Sequence, residues 1–159
     1  MSGVSFMSLA MYRPNPALSY IAATEDQTSH TTYTFAGQSF SAPGARSIII
    51  AISSAIVGSA TISSVTVGGV PATIAVQAAQ GTRAVTGIAI ASVPSGTSGS
   101  VVVVFSSAML RCTIGVFAVY NLQSTTATAT TTSSANPLNL GLNVADRGIA
   151  LGCLYDNNT

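Results

Sequence analysis

From about Tyr20 onward, apolar and β-branched residues come in short runs broken by Gly, Pro, Ser and Asn roughly every ten residues, the punctuation of a sandwich or barrel. The clearest unit is Thr61 to Val76, where Gly68-Gly69 supplies the positive φ angles that a two-residue hairpin turn demands. With Val67 opposite Val70, Val65 faces Ala72, Ser63 faces Ile74 and Thr61 faces Val76. The apolar residues then fall largely on one face, and Ser64, Thr66, Thr73 and Gln77 on the other. Pro71 cannot donate to a ladder, which places its strand at an edge or turns its nitrogen to solvent.

Four further runs, Arg46 to Ser53, Ala84 to Ser92, Ser100 to Ser106 and Cys112 to Tyr120, are apolar on both alternating faces. That pattern predicts central strands covered on both sides. Pro94 to Gly99 is the turn between two of them. Leu138, Leu140, Leu142 and Val144 alternate with polar or small residues and predict a half-buried strand. Asp146-Arg147-Gly148 then turns the chain into Ile149, Leu151 and Cys153, which predict an interior strand. The threonine-rich tract Gln123 to Ser134 reads as a polar edge strand or a long loop. No stretch carries a helical period, so the expected fold is all-β: an antiparallel β-sandwich or jelly roll of about eight to ten strands.

Residues 1–22 break the pattern. They hold three of the four methionines and the Arg13-Pro14-Asn15-Pro16 tetrapeptide, without sustained alternation. Both prolines fix φ and push the preceding residue into extended geometry, so Tyr12 to Ala17 is expected to be a stiff, non-helical connector. The expected organisation is an extended N-terminal arm over 1–22, with Tyr12, Arg13, Pro14, Asn15 and Pro16 as assembly contacts, and a β-sandwich domain over 23–159. An interior strand at Ile149 to Cys153 needs a neighbour on each edge. It is therefore expected either to pair between earlier strands or to belong to a natural chain that continues past Thr159.

Composition narrows the function. Only 6% of the 159 residues are charged, against about a quarter in ordinary soluble domains. Five arginines, no lysine and four acids leave a net charge of +1, too little for a phosphate-tracking surface, so nucleic acid is not an expected partner. At 48% hydrophobic the chain is far too apolar for intrinsic disorder. The most apolar stretch, Ile48 to Ile62, is interrupted by serines and Gly58 and falls short of the roughly 20 apolar residues that span a bilayer. No positive charge precedes the short apolar patch near Met1, so no signal peptide is expected. A surface this poor in charge has little to oppose association, and an oligomer is expected.

Catalytic chemistry finds weak footing. His30 is the single histidine and reads as a loop residue; no GxSxG elbow accompanies it. Glu25, Asp26, Asp146 and Asp156 are scattered, and Glu25 and Asp26 point to opposite faces of an extended chain, which argues against a paired-carboxylate site. Asp156, Asn157, Asn158 and Thr159 offer hard oxygen ligands for calcium, although the same residues favour a turn. The Gly-rich turns lack the helix and lysine of a phosphate loop, so no cofactor is expected. Cys112 and Cys153 match neither a redox pair nor a zinc set; they read as buried thiols, with a bridge between neighbouring strands as the alternative. The five tyrosines are spread along the chain and there is no tryptophan, a poor outline of a sugar platform.

The segments Ile62 to Thr73, Val93 to Ser106, Arg111 to Leu122 and Gly148 to Asn158 together resemble small β-sandwich proteins encoded among the virion genes of tailed bacteriophages. The resemblance implies a non-enzymatic structural subunit on the capsid or tail surface, as in head decoration or tail fibre proteins, and implies no catalytic residues. Its partners would be other virion proteins and copies of itself, with no membrane insertion. The protein would be made in the host cytoplasm and reside in the virion. The alternative is a carbohydrate-binding or receptor-binding adhesive module with a glycan partner.

Overall fold

A computed structural model describes residues 15–56, 58–133 and 141–155. Eight strands follow one another along the chain: β1 (Ala17–Asp26), β2 (His30–Ser39), β3 (Arg46–Ala55), β4 (Ile62–Val67), β5 (Val70–Gln80), β6 (Ala84–Ser92), β7 (Ser98–Met109) and β8 (Arg111–Tyr120). All neighbours are antiparallel, in the order β1-β8-β3-β6-β5-β4-β7-β2, and the sheet curls until it is nearly closed and barrel-like. There is no helix among the described residues. The end strands β1 and β2 have a ladder on one side only. Across the gap between them Thr24 Oγ1 donates to Gln38 Oε1 at 3.0 Å, a side-chain bond in place of backbone pairing.

Alternation explains the interior. Ile48, Ile50 and Ile52 of β3, Ile114 and Val116 of β8, and Val101, Val103 and Phe105 of β7 point into one buried cluster with Tyr33 and Phe35 of β2. Tyr33 is fully buried, and its hydroxyl accepts from the His30 amide (3.3 Å). It also lies 2.9 Å from the carbonyls of both Thr28 and Met109, and its single proton serves one of them at a time. A Tyr is tolerated here because its one polar atom reaches the end of the sheet, where backbone acceptors are left over.

The hairpin at Gly68-Gly69 has the expected register: Val67 pairs with Val70, Thr66 with Pro71 and Val65 with Ala72. Beyond Ala72 it departs from expectation. From Thr73 onward β5 pairs with β6 and its register shifts between Ile74 and Val76, so Ser63 does not meet Ile74, nor Thr61 Val76. A bulge turns one long strand from one neighbour to another. The backbone of Ile62, which this departure leaves without a ladder partner on β5, is taken by the Gln77 carboxamide. Its Oε1 accepts from Ile62 N (2.8 Å) and its Nε2 donates to Ile62 O (3.3 Å), one amide standing in for a peptide. Pro71 sits where β5 has only β4 beside it, so its missing donor breaks no ladder with β6.

Further expectations need correction. Residues 17–22, assigned to the arm, form the first part of β1, because Leu18 and Tyr20 find ladder partners in Val119 and Phe117. His30 is the first residue of β2 rather than a loop residue. Of the half-buried strand expected at Leu138, Leu140, Leu142 and Val144, the first two residues lie outside the described residues; residues 141–145 are not a strand, and Leu142 and Val144 are exposed rather than half-buried. The segment 148–155 is likewise no strand, interior or edge, since no ladder receives it. Residues 123–133 form an irregular loop.

Candidate interaction surface

In an antiparallel sheet with one wet face, outward positions should be polar. Here they are not. Ladder registers place Tyr20, Phe117, Ile49 and Ile90 side by side across β1, β8, β3 and β6 on the outer face, with Leu18 and Val119 in the next row. Ile49, Ile90 and Val119 form a second buried cluster, flanked by Ile88, Phe117 and Leu122. The sequence pattern of β3, β6 and β8, apolar on both faces, has this physical meaning: the outer face is covered.

Part of the cover is the chain's own C-terminal segment. Ile149 and Leu151 pack onto the outer cluster, and the Cys153 thiol donates to the Ile52 carbonyl at 3.0 Å. These two apolar anchors account for one side of the run Gly148 to Tyr155: Ile149, Leu151 and Cys153 are half-buried by lying on the sheet without joining it, while Ala150, Gly152 and Leu154 are exposed, so the second covered face expected of an interior strand is not there. Between this segment, the threonine-rich loop and the sheet runs a groove of about 890 Å³. The cover does not reach the β1 edge. Tyr20 remains 60% exposed, touching Phe117 edge-on with ring centroids 5.4 Å apart, and Leu18 is exposed beside it.

Of the residues expected to mediate assembly, Tyr12, Arg13 and Pro14 lie outside the described residues, whereas Asn15 is exposed and Pro16, half-buried, lines the groove just ahead of β1. The chain therefore enters the sheet beside the apolar row. The outer row itself was missed in sequence as a surface, although the double-sided apolar pattern was its signal.

The expected chemical groups do not converge. Asp26 Oδ1 accepts from the Thr28 amide (2.9 Å) and the Thr28 hydroxyl, which also lies 2.9 Å from His30 Nε2. Thr28 stands between carboxylate and imidazole, so neither activates the other as in a hydrolytic triad. The hydrogen bonds from Thr28, helped by the charge of His30, hold the Asp26 carboxyl below its ordinary range. Among the described residues no three potential metal ligands gather. Asp156, Asn157, Asn158 and Thr159, the candidate calcium ligands, lie outside those residues.

The cysteines are both free. Cys112 belongs to the inner cluster, while Cys153 sits in the segment that covers the outer face. Burial pushes the Cys112 thiol from its ordinary 9.0 up to about 12. In the folded protein Cys112 should therefore resist a thiol reagent at mildly alkaline pH and react only on unfolding. Titration with a chromogenic disulfide, with and without denaturant, checks this; prompt labelling of Cys112 in native buffer would contradict it.

Comparison of the chain with protein-family models, with curated proteins and with solved structures gave no match.

Proposed function

We propose that this protein is a non-enzymatic structural subunit of a bacteriophage virion. It would be displayed on the capsid or tail surface and associate with copies of itself and with other virion proteins. The observation that carries the reading is the apolar outer row running uncovered to the sheet edge at Leu18 and Tyr20, in a chain with 6% charged residues. An exposed aromatic in a contiguous apolar row marks an interaction surface, and so little charge gives copies of the chain nothing to repel each other with. In this reading the nearly closed sheet is a flattened sandwich. One layer is β1, β8, β3, β6 and the later part of β5; the other is β2, β7, β4 and the start of β5. The docking element is then Tyr12 to Pro16 together with the outer edge of β1.

Two measurements test it. The wild-type chain is expected to sediment as an oligomer at micromolar concentration, and Tyr20→Asp to weaken self-association by about tenfold or more, because an ionised group in an apolar contact is costly to desolvate. Tyr20 is exposed enough for the variant to fold. A sharp wild-type monomer, or an unaffected Tyr20→Asp oligomer, overturns this surface. Removal of residues 1–16 spares β1 and is expected to abolish incorporation into particles; incorporation at the wild-type level overturns the docking role.

A further inference from the structure

Residues 148–155 lie across the outer face like a strap that is tied down at few points. Ile149 and Leu151, both half-buried, rest on the cluster of Ile49, Ile90 and Val119. Cys153 lies over the paired strands β3 and β6, where its thiol donates to the Ile52 carbonyl (3.0 Å) beside the Gly87 amide. Ala150, Gly152 and Leu154 face solvent, and no ladder receives the backbone. Two half-buried anchors and a thiol, without a ladder, gain little to offset the entropy of fixing eight residues. A segment of this kind opens locally while the strands beneath it stay paired.

The strap hides the larger part of the apolar row. Tyr20, Phe117, Ile49 and Ile90 stand side by side from β1 to β6, and the strap closes over the β3 and β6 end. With the strap in place, the row offers solvent chiefly Leu18 and Tyr20 at the β1 edge. Two side chains make too small a contact for lasting association, because a stable interface takes about 800 Å² from each partner. With the strap away, Ile49, Ile90 and Val119 extend that edge into one apolar face across four adjacent strands. Two such faces can pack as the layers of a sandwich do, about 10 Å apart. None of the side chains in the row is charged, so two copies meet there without repulsion.

We propose that residues 148–155 are a displaceable strap: closed, it hides the outer face on which a second copy of this chain docks, and open, it lets the faces of two copies pack together. The inference rests on the self-association proposed above and adds what limits it. Because both copies must open, the apparent association constant varies as the square of the open fraction. The experiment loosens the strap of the full chain with Ile149→Ser and Leu151→Ser combined, and reads opening and association separately. At high dilution, alkylation of Cys153 by iodoacetamide reports opening, and protection of Cys112 in the inner cluster reports an intact sheet. Labelling of Cys153 is expected to be about tenfold faster in the variant, with Cys112 still protected. Its association constant by sedimentation should rise at least about tenfold, towards a limit of about a hundredfold. Adding Tyr20→Asp should remove most of that gain. If the double variant exposes Cys112, Leu151→Ala alone provides a milder loosening, with the same two readouts. Faster labelling with unchanged or weaker association overturns the proposal; weaker association places the strap, with its exposed Leu154, inside the interface. A gain that survives Tyr20→Asp is unspecific adhesion of bared apolar surface and overturns it too, as does unchanged Cys153 labelling. If wild type and loosened variant are both sharp monomers, the self-association reading falls as well, whereas a wild-type oligomer indifferent to the strap removes this inference alone.

Discussion

Replacing Arg46 with alanine is expected to cost about 3 kcal/mol or more of folding stability, because it leaves backbone carbonyls of two loops without a donor, at about 1–3 kcal/mol for each that stays buried and unsatisfied. Arg46 is 2% exposed, and every hydrogen bond its side chain makes goes to backbone carbonyls in two loops. Nε donates to Val93 O (2.9 Å) and Nη2 to Ser95 O and Gly96 O (3.1 and 2.9 Å), in the connection from β6 to β7. Nη1 faces Phe40 O, Ser41 O and Ala42 O, each at 2.8 Å, in the connection from β2 to β3. Its two protons are shared among these three acceptors. A planar fork with five donors spans both loops, which a lysine ammonium with three donors on one atom cannot do. Arg46→Lys should therefore recover only part of the loss. Urea denaturation measures both variants; an Arg46→Ala midpoint within experimental error of wild type would show that water replaces the guanidinium at no cost.

Phe40→Ala is expected to destabilise by a similar amount, about 3–5 kcal/mol, for a different reason. Phe40 is 1% exposed and sits against two glycines. A Cβ at Gly99 would lie 2.8 Å from Phe40 Cε2 and 3.0 Å from Gly68 Cα, and a Cβ at Gly68 would come within 3.1 Å of the same ring. The ring occupies the space where two side chains would otherwise be, so its removal leaves a cavity walled partly by backbone, which cannot collapse freely. Because the Phe40 carbonyl also receives Arg46, the double variant should lose less than the sum of the two single losses. A double-mutant cycle in urea checks this; strict additivity would mean that ring and guanidinium hold the loop independently.

Much of the sheet was legible because the signals are local. Gly68-Gly69 defined a hairpin and the register nearest to it, since turn chemistry and period-two alternation act over a few residues. Farther from the turn the reading failed, as β5 left β4 for β6 after Ala72. Nothing local to Ile74 announces that change; it depends on where β6 lies. The Gln77 carboxamide that repairs Ile62 was read as one more polar residue on a wet face. Arg83 and Arg111 are 28 positions apart and reach the same end of the sheet only because β3 pairs with both β6 and β8.

By itself, the sequence determined an all-β chain, most of the strand positions from Arg46 to Tyr120, the two-sided burial of β3, β6 and β8, and a surface nearly without charge. These follow from alternation, turn residues and composition, which need no distant partner. Only the tertiary structure decided what covers the second face of those strands, and that residues 148–155 do so without joining the ladder. An apolar run records that it is buried but not whether a ladder neighbour or an overlying segment buries it. The same holds for Arg46. Its burial could not be read from a run of isoleucines beside it, because its acceptors at Val93, Ser95 and Gly96 lie 47 to 50 residues away and converge only when the sheet curls.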